Sequence, residues 1–175
     1  MRGGMLAYTG MVSSLLVLCL CGKASGQSVT IVLEGEIPTS CRMDTPVTKL
    51  LLGDLALAGR ATITFRVRCN TPFVFAMLSQ SGGLVADNAG STAVGFTNIV
   101  PYNASVEIPT TAGSLTGSCT STALKAQKND CVVSSSQGGI ALAGEASLTI
   151  SWQRDMHSVS GTYADQLTLS MLPRI

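Results

Sequence analysis

The sequence predicts an all-β chain, a sandwich of short strands, on three observations. Apolar residues recur at every second position in several runs; Gly, Ser, Thr and Val are abundant while only 12% of residues are charged; and no segment carries an amphipathic helical pattern longer than two turns.

Residues 1–26 read as a secretory signal. Arg2 gives a basic start, Met11 to Cys21 is a short apolar core, and Ala24, Ser25 and Gly26 supply small residues for cleavage. The apolar run is short for a membrane span, and leucines precede Cys19 and Cys21 where a lipidation site has a small residue. Export with cleavage before Gln27 is therefore expected. The roughly 149 residues that remain suffice for one domain with a real core. Cleavage removes Arg2 and Lys23 and no acid, so the net charge moves from +1 to −1. The remaining basic residues are scattered, which argues against a nucleic-acid partner.

Four cysteines follow the signal, and an even number in an exported chain reads as two disulfides. Three pairings are open. Cys41 with Cys69 would join two strand ends and Cys119 with Cys131 would close a short polar loop, so that pairing is expected. No CxxC spacing occurs and His157, the one histidine, sits in a polar turn; neither a metal site nor any cofactor is expected.

Along the chain, Val29, Ile31, Leu33, Gly35, Ile37 and Cys41 share one parity, with Val32 the single apolar exception on the other. This predicts a long strand with one dry face. Pro38 would split it into an outer arm, Val29 to Leu33, and an inner piece leading to Cys41. Ala61, Ile63, Phe65, Val67 and Cys69 alternate without a fault, so Cys69 should face the core. Phe73 to Leu78 is apolar on both parities, which suggests burial on two faces. Gly82 to Thr92 reads as a glycine-rich loop. Two short strands broken by Pro101 and Asn103 are expected between Gly95 and Ile108, and Asn103-Ala104-Ser105 has the form of a glycosylation acceptor. Thr110 to Gly139 reads as a polar loop pinned by a disulfide. Ala146, Leu148, Ile150 and Trp152 face one way, which makes Trp152 a core residue. Leu167, Leu169, Met171, Pro173 and Ile175 then form a last strand whose apolar face has no following segment to cover it.

Chemistry is sparse. His157 has no G-x-S-x-G elbow to serve, and the acids Asp87, Asp155 and Asp165 match no calcium loop, so an enzyme is not expected. Asp165 shares the parity of Tyr163 and Leu167 and should therefore have a hydrogen-bond partner.

Gly35-Glu36-Ile37 followed by Cys41, Leu52-Gly53, Phe65-x-Val67-x-Cys69 and Gly161-x-Tyr163-x-Asp165-x-Leu167-Thr168-Leu169 occur in that order over most of the chain after the signal. In this the chain resembles fimbrial subunits of the chaperone-usher type, in the major-pilin and spore coat protein U groups. The resemblance implies an immunoglobulin-like β-sandwich lacking its seventh strand and completed by donor-strand exchange, with a signal at 1–26, a donor arm at 27–34 and the domain at 35–175. It implies that Val29, Ile31 and Leu33 are the donor strand, and that Leu167, Leu169 and Met171 lie along the acceptor groove and the chaperone contact. Neighbouring subunits, a periplasmic chaperone, an outer-membrane usher and a host receptor would be the partners. The route would run through the periplasm to the cell surface. The arm is shorter than in many pilins and the second cysteine pair is not a general family feature. A single-domain tip adhesin or carbohydrate-binding module, or a stand-alone secreted coat protein, is the alternative function on the same fold.

Overall fold

The structure is a computed structural model that describes residues 28–45, 48–87, 94–125, 131–134 and 139–174; the expected signal and Gln27 lie outside the described residues. In chain order the strands are β1 (Cys41–Asp44), β2 (Gly59–Cys69), β3 (Phe73–Ser79), β4 (Leu84–Ala86), β5 (Ile99–Val100) and β6 (Asn103–Thr110). They continue with β7 (Gly113–Thr120), a short helix α1 (Ser121–Lys125), then β8 (Val132–Ser134), β9 (Ala141–Trp152), β10 (Tyr163–Ala164) and β11 (Leu167–Pro173). The expectation of a mostly β chain is met by three antiparallel sheets, ordered β1-β2-β9-β6-β7, β11-β3-β8 and β10-β4-β5.

Clean alternation produces the central strands. On β2, Phe65, Val67 and Cys69 are buried while Arg66 and Arg68 between them are exposed. β9 lies beside it with Phe65 opposite Ala146, Ile63 opposite Leu148 and Ala61 opposite Ile150. Trp152 is buried at the end of β9, and its indole N–H donates to the Leu57 carbonyl at 2.8 Å. On β9 the inward parity changes between Ala141 and Ala146. A bulge resolves the conflict: the register shifts opposite Val67 and Cys69, Ala143 takes a left-handed φ of 42°, and Ala141 returns to the core. The second sheet meets this one through Phe75, whose ring stacks on Phe65 with centroids 6.1 Å apart.

Both disulfides are as expected. β1 pairs with β2 so that Cys41 stands directly opposite Cys69, and Cys119 on β7 joins Cys131 just ahead of β8. Each loop closure contributes about 3 to 4 kcal/mol by the chain-entropy estimate.

Four expectations need correction. Residues 28–40 form no strand, because a strand exists only where a neighbour accepts its hydrogen bonds. Contacts divide the chain between Glu36 and Ile37. On the far side of that division the chain is fixed by Asn70, whose side chain accepts from Ser40 N–H and donates to the Pro38 carbonyl. The Phe73 to Leu78 run is buried on one face only: Phe73, Phe75 and Met77 point inward and Leu78 is 36% exposed. The glycine-rich segment contains β4, with Leu84 and Ala86 buried. The polar region from Thr110 holds β7, α1 and β8 in place of a loop. There Gly117 faces inward because Val133 occupies the space a side chain would need.

Two outcomes are expected from this packing. Peptide mapping without reduction returns Cys41 with Cys69 and Cys119 with Cys131, and a crossed pair would contradict the β1–β2 register. Phe75→Ala removes one ring of the inter-sheet stack and lowers stability by about 3 to 5 kcal/mol in denaturant titration, whereas Arg66→Ala on the outer face of β2 changes it by less than about 1 kcal/mol.

Candidate strand-acceptor edge

The core is closed on one side and open on the other. At the closed side β7 and β8 are stapled by Cys119 and Cys131, Val133 packs over Gly117, and Leu124 of α1 is buried. At the open side the sheets end in β1 and β11, each hydrogen-bonded, among the described residues, to one neighbouring strand and in contact with the other.

Burial steps down across that edge. On β3 the inward residues Phe73, Phe75, Met77 and Ser79 are between 0% and 4% exposed. Their β11 partners Pro173, Met171, Leu169 and Leu167 are exposed or half-buried. In the other sheet, Ile150 and Leu148 of β9 are buried, while Ala61 and Ile63 opposite them on β2 are half-buried. Met43 of β1 and Leu50 and Leu52 after it are also only partly covered, and these, with Ala61, Ile63, Leu167, Leu169 and Met171, pack against the one core. The result is a row of apolar groups beside an unpaired β11 backbone edge, a template for another strand. Leu167, Leu169 and Met171 all lie in this row.

The arm residues show the complementary property. Val29 is 85% exposed, Ile31 74% and Leu33 90%, and Val32 is also exposed. Within residues 28–36 the dry face read from the alternation is wet.

A partly buried polar knot lies just ahead of β11. The Asp165 carboxylate accepts from the Ser79 hydroxyl, from the Tyr102 hydroxyl at 2.7 Å, from Ser81 N–H at 3.0 Å and from Gln166 N–H at 2.9 Å. Ser79 in turn accepts from Gly82 N–H at 2.7 Å. The expected partner for Asp165 is thus a set of four: Ser79 at the end of β3, Ser81 in the turn after it, Tyr102 just ahead of β6 and its own neighbour Gln166. Burial above all pushes the Tyr102 phenol well above its ordinary pKa, and the adjacent Asp165 adds to this while the Ser79 bond acts the other way. Parity revealed that Asp165 needed a partner; Ser79 and Tyr102 lie 86 and 63 residues away and carry no local signal.

The remaining acids organise turns. Asp155 accepts from His157 N–H and from the Ser158 hydroxyl, both at 2.8 Å, and these bonds hold its carboxyl below the usual range, the His157 backbone bond foremost. The serine hydroxyl is therefore bonded to the carboxylate of its own turn, and the exposed His157 imidazole is 3.8 Å from Asp155. Asp87 accepts from Thr162 N–H beside β10. Among the described residues no group of three or more His, Cys, Asp or Glu side chains is placed to hold a metal ion. No protein-family model matches this chain, and no curated protein matches it.

The knot generates two expectations. Asp165→Ala leaves the Ser79 and Tyr102 hydroxyls without their acceptor, at about 1 to 3 kcal/mol for each stranded group, and Asp165→Asn, which keeps an acceptor oxygen, costs less. The phenol pKa is higher in the folded than in the unfolded chain, so its contribution is whole below the ordinary value of 10.0 and is lost as pH rises above it. The denaturation midpoint should fall above that pH as tyrosinate absorbance appears with unfolding. An equal fall in Tyr102→Phe would assign the effect to another group.

Proposed function

We propose that this protein is a structural subunit of a surface fibre, a pilus or fimbria, exported through the periplasm and polymerised by strand exchange. One observation carries the reading: the step in burial from β3 to β11, which leaves a half-covered apolar row beside a free backbone edge. The exposed alternation at Val29, Ile31 and Leu33 is the matching donor, offered to a neighbouring copy's β11. Inserting a strand there supplies main-chain hydrogen bonds to the edge and three apolar side chains to the row, each worth roughly 1.5 to 3 kcal/mol when fully buried. An exported subunit with such an edge needs it covered in transit, the role the proposal gives to a periplasmic chaperone, with an outer-membrane usher receiving the complex. In the fibre, the subunit contributes to adhesion through its surface.

The test uses the arm as a graft. Appending residues 27–34 after Ile175 through a flexible linker converts pairing between chains into pairing within one, at high effective concentration. With the original arm deleted, this variant should be monomeric and should melt about 10 °C or more above the arm-deleted chain without the graft. Deleting residues 27–33 alone should abolish polymer. A graft that alters neither melting temperature nor association sinks the proposal.

A further inference from the structure

Resting on that reading, we propose that a shallow hollow on the outer face beside β11 is a register lock that receives Val32 and Glu34 of the neighbouring copy's arm, with Lys125 pairing to Glu34. The hollow is lined by Leu78, Ser79, Gln80, Lys125, Gln166 and Thr168. It lies on the opposite face of β11 from Leu167, Leu169 and Met171.

The need for a lock follows from the apolar row itself. A slip of one residue turns every donor side chain to the wrong face and is forbidden by the core. A slip of two keeps the parity, and a row of two leucines and a methionine discriminates weakly between Val29, Ile31 and Leu33 at each position. Something on the outward parity must decide.

All strand pairs within the sheets of this fold are antiparallel, and an antiparallel donor is also slightly favoured per residue. Three donor residues against three acceptor residues then gives Leu33 opposite Leu167, Ile31 opposite Leu169 and Val29 opposite Met171. The outward residues follow without further choice: Thr30 meets Ser170, Val32 meets Thr168 and Glu34 meets Gln166. Thr168 is paired on its other side with Leu78, the exposed apolar residue on the outer face of β3. Val32, the lone apolar residue on the arm's polar parity, is thereby set on the same transverse row as Leu78 with only a threonine between. Gln166 is bonded through its carbonyl to Gln80 N–H at 2.9 Å, and the Lys125 stem lies over Gly82 just beyond. Lys125 makes no ion pair among the described residues. Glu34 brings it an opposite charge in this register. A two-residue slip one way sets Val32 opposite Gln166 and takes that charge away; the slip the other way replaces it with Glu36 but moves Val32 from Thr168 to Ser170 and sets Gly35 against Leu167.

The experiment reads register and charge separately in full-length chains exported together. Thr30→Cys in one copy and Ser170→Cys in the other should give an interchain disulfide ladder on non-reducing gels. Thr30→Cys with Thr168→Cys or with Leu172→Cys should give a ladder at least fivefold weaker. Glu34→Lys alone, or Lys125→Glu alone, should reduce the cross-linked polymer about five- to tenfold at low salt, and copies carrying both reversals should recover it. Equal ladders from all three cysteine pairs, or polymer indifferent to both reversals, would overturn the lock while leaving strand exchange standing. A cross-link confined to single chains, or no polymer in any arm, would overturn the strand-exchange reading and the lock with it.

Discussion

Two sheets can share a core only where each covers the other, and here that cover is centred on the stack of Phe65 on Phe75. Around it Phe65, Val67 and Cys69 of β2, Phe73, Phe75 and Met77 of β3, Ala104, Val106 and Ile108 of β6 and Ala146, Leu148 and Ile150 of β9 exclude water almost completely. The polar devices of the fold follow from that centre. The buried hydroxyls of Ser79, at the end of β3, and Tyr102, just ahead of β6, need hydrogen-bonding partners, and Asp165 accepts from both two residues before β11 begins. The bulge on β9 exists because the inward parity must change before Cys69 is reached.

The same constraint explains the asymmetry of the molecule. Small residues let β7 and β8 close together: glycine at 117 admits Val133, and a short disulfide holds the two segments where little apolar surface is available. The opposite side has larger side chains and, among the described residues, no strand to cover them. Half-burial there is a consequence of where the sheets end, since the β11 residues are as apolar as those of β3 beside them.

Much of this was legible in the sequence, and the failures have physical causes. β2, β9 and β11 declare themselves because their two parities differ sharply in polarity, as in Ile63-Thr64-Phe65-Arg66-Val67. β7 hides because its inward positions hold Leu115, Gly117 and Cys119, of which only the first is a large apolar residue. β3 misleads because Val74, Ala76 and Leu78 are apolar yet lie on the outer face. The segment from Val29 to Ile37 carries a strand's pattern without a strand's structure, since alternation reports which face would be dry and says nothing of whether a partner is present. At the site, the row of Leu167, Leu169 and Met171 was readable from period two alone. Tyr102 and Lys125 were not, because their roles depend on segments brought together only by the folded chain.

The Cys41–Cys69 bond has a mechanical meaning. β1 is four residues long and sits at a sheet edge, so its hydrogen bonds alone would unzip under a modest pull. Tension entering from the preceding chain reaches the Asn70 clamp at Pro38 and Ser40, and then a covalent bond at the first residue of the strand. The load passes through sulfur into β2, which is paired to β9 over most of its length. Force is thereby delivered to the end of β2, one strand in from the edge of the largest sheet, and the short edge strand in its path is bypassed.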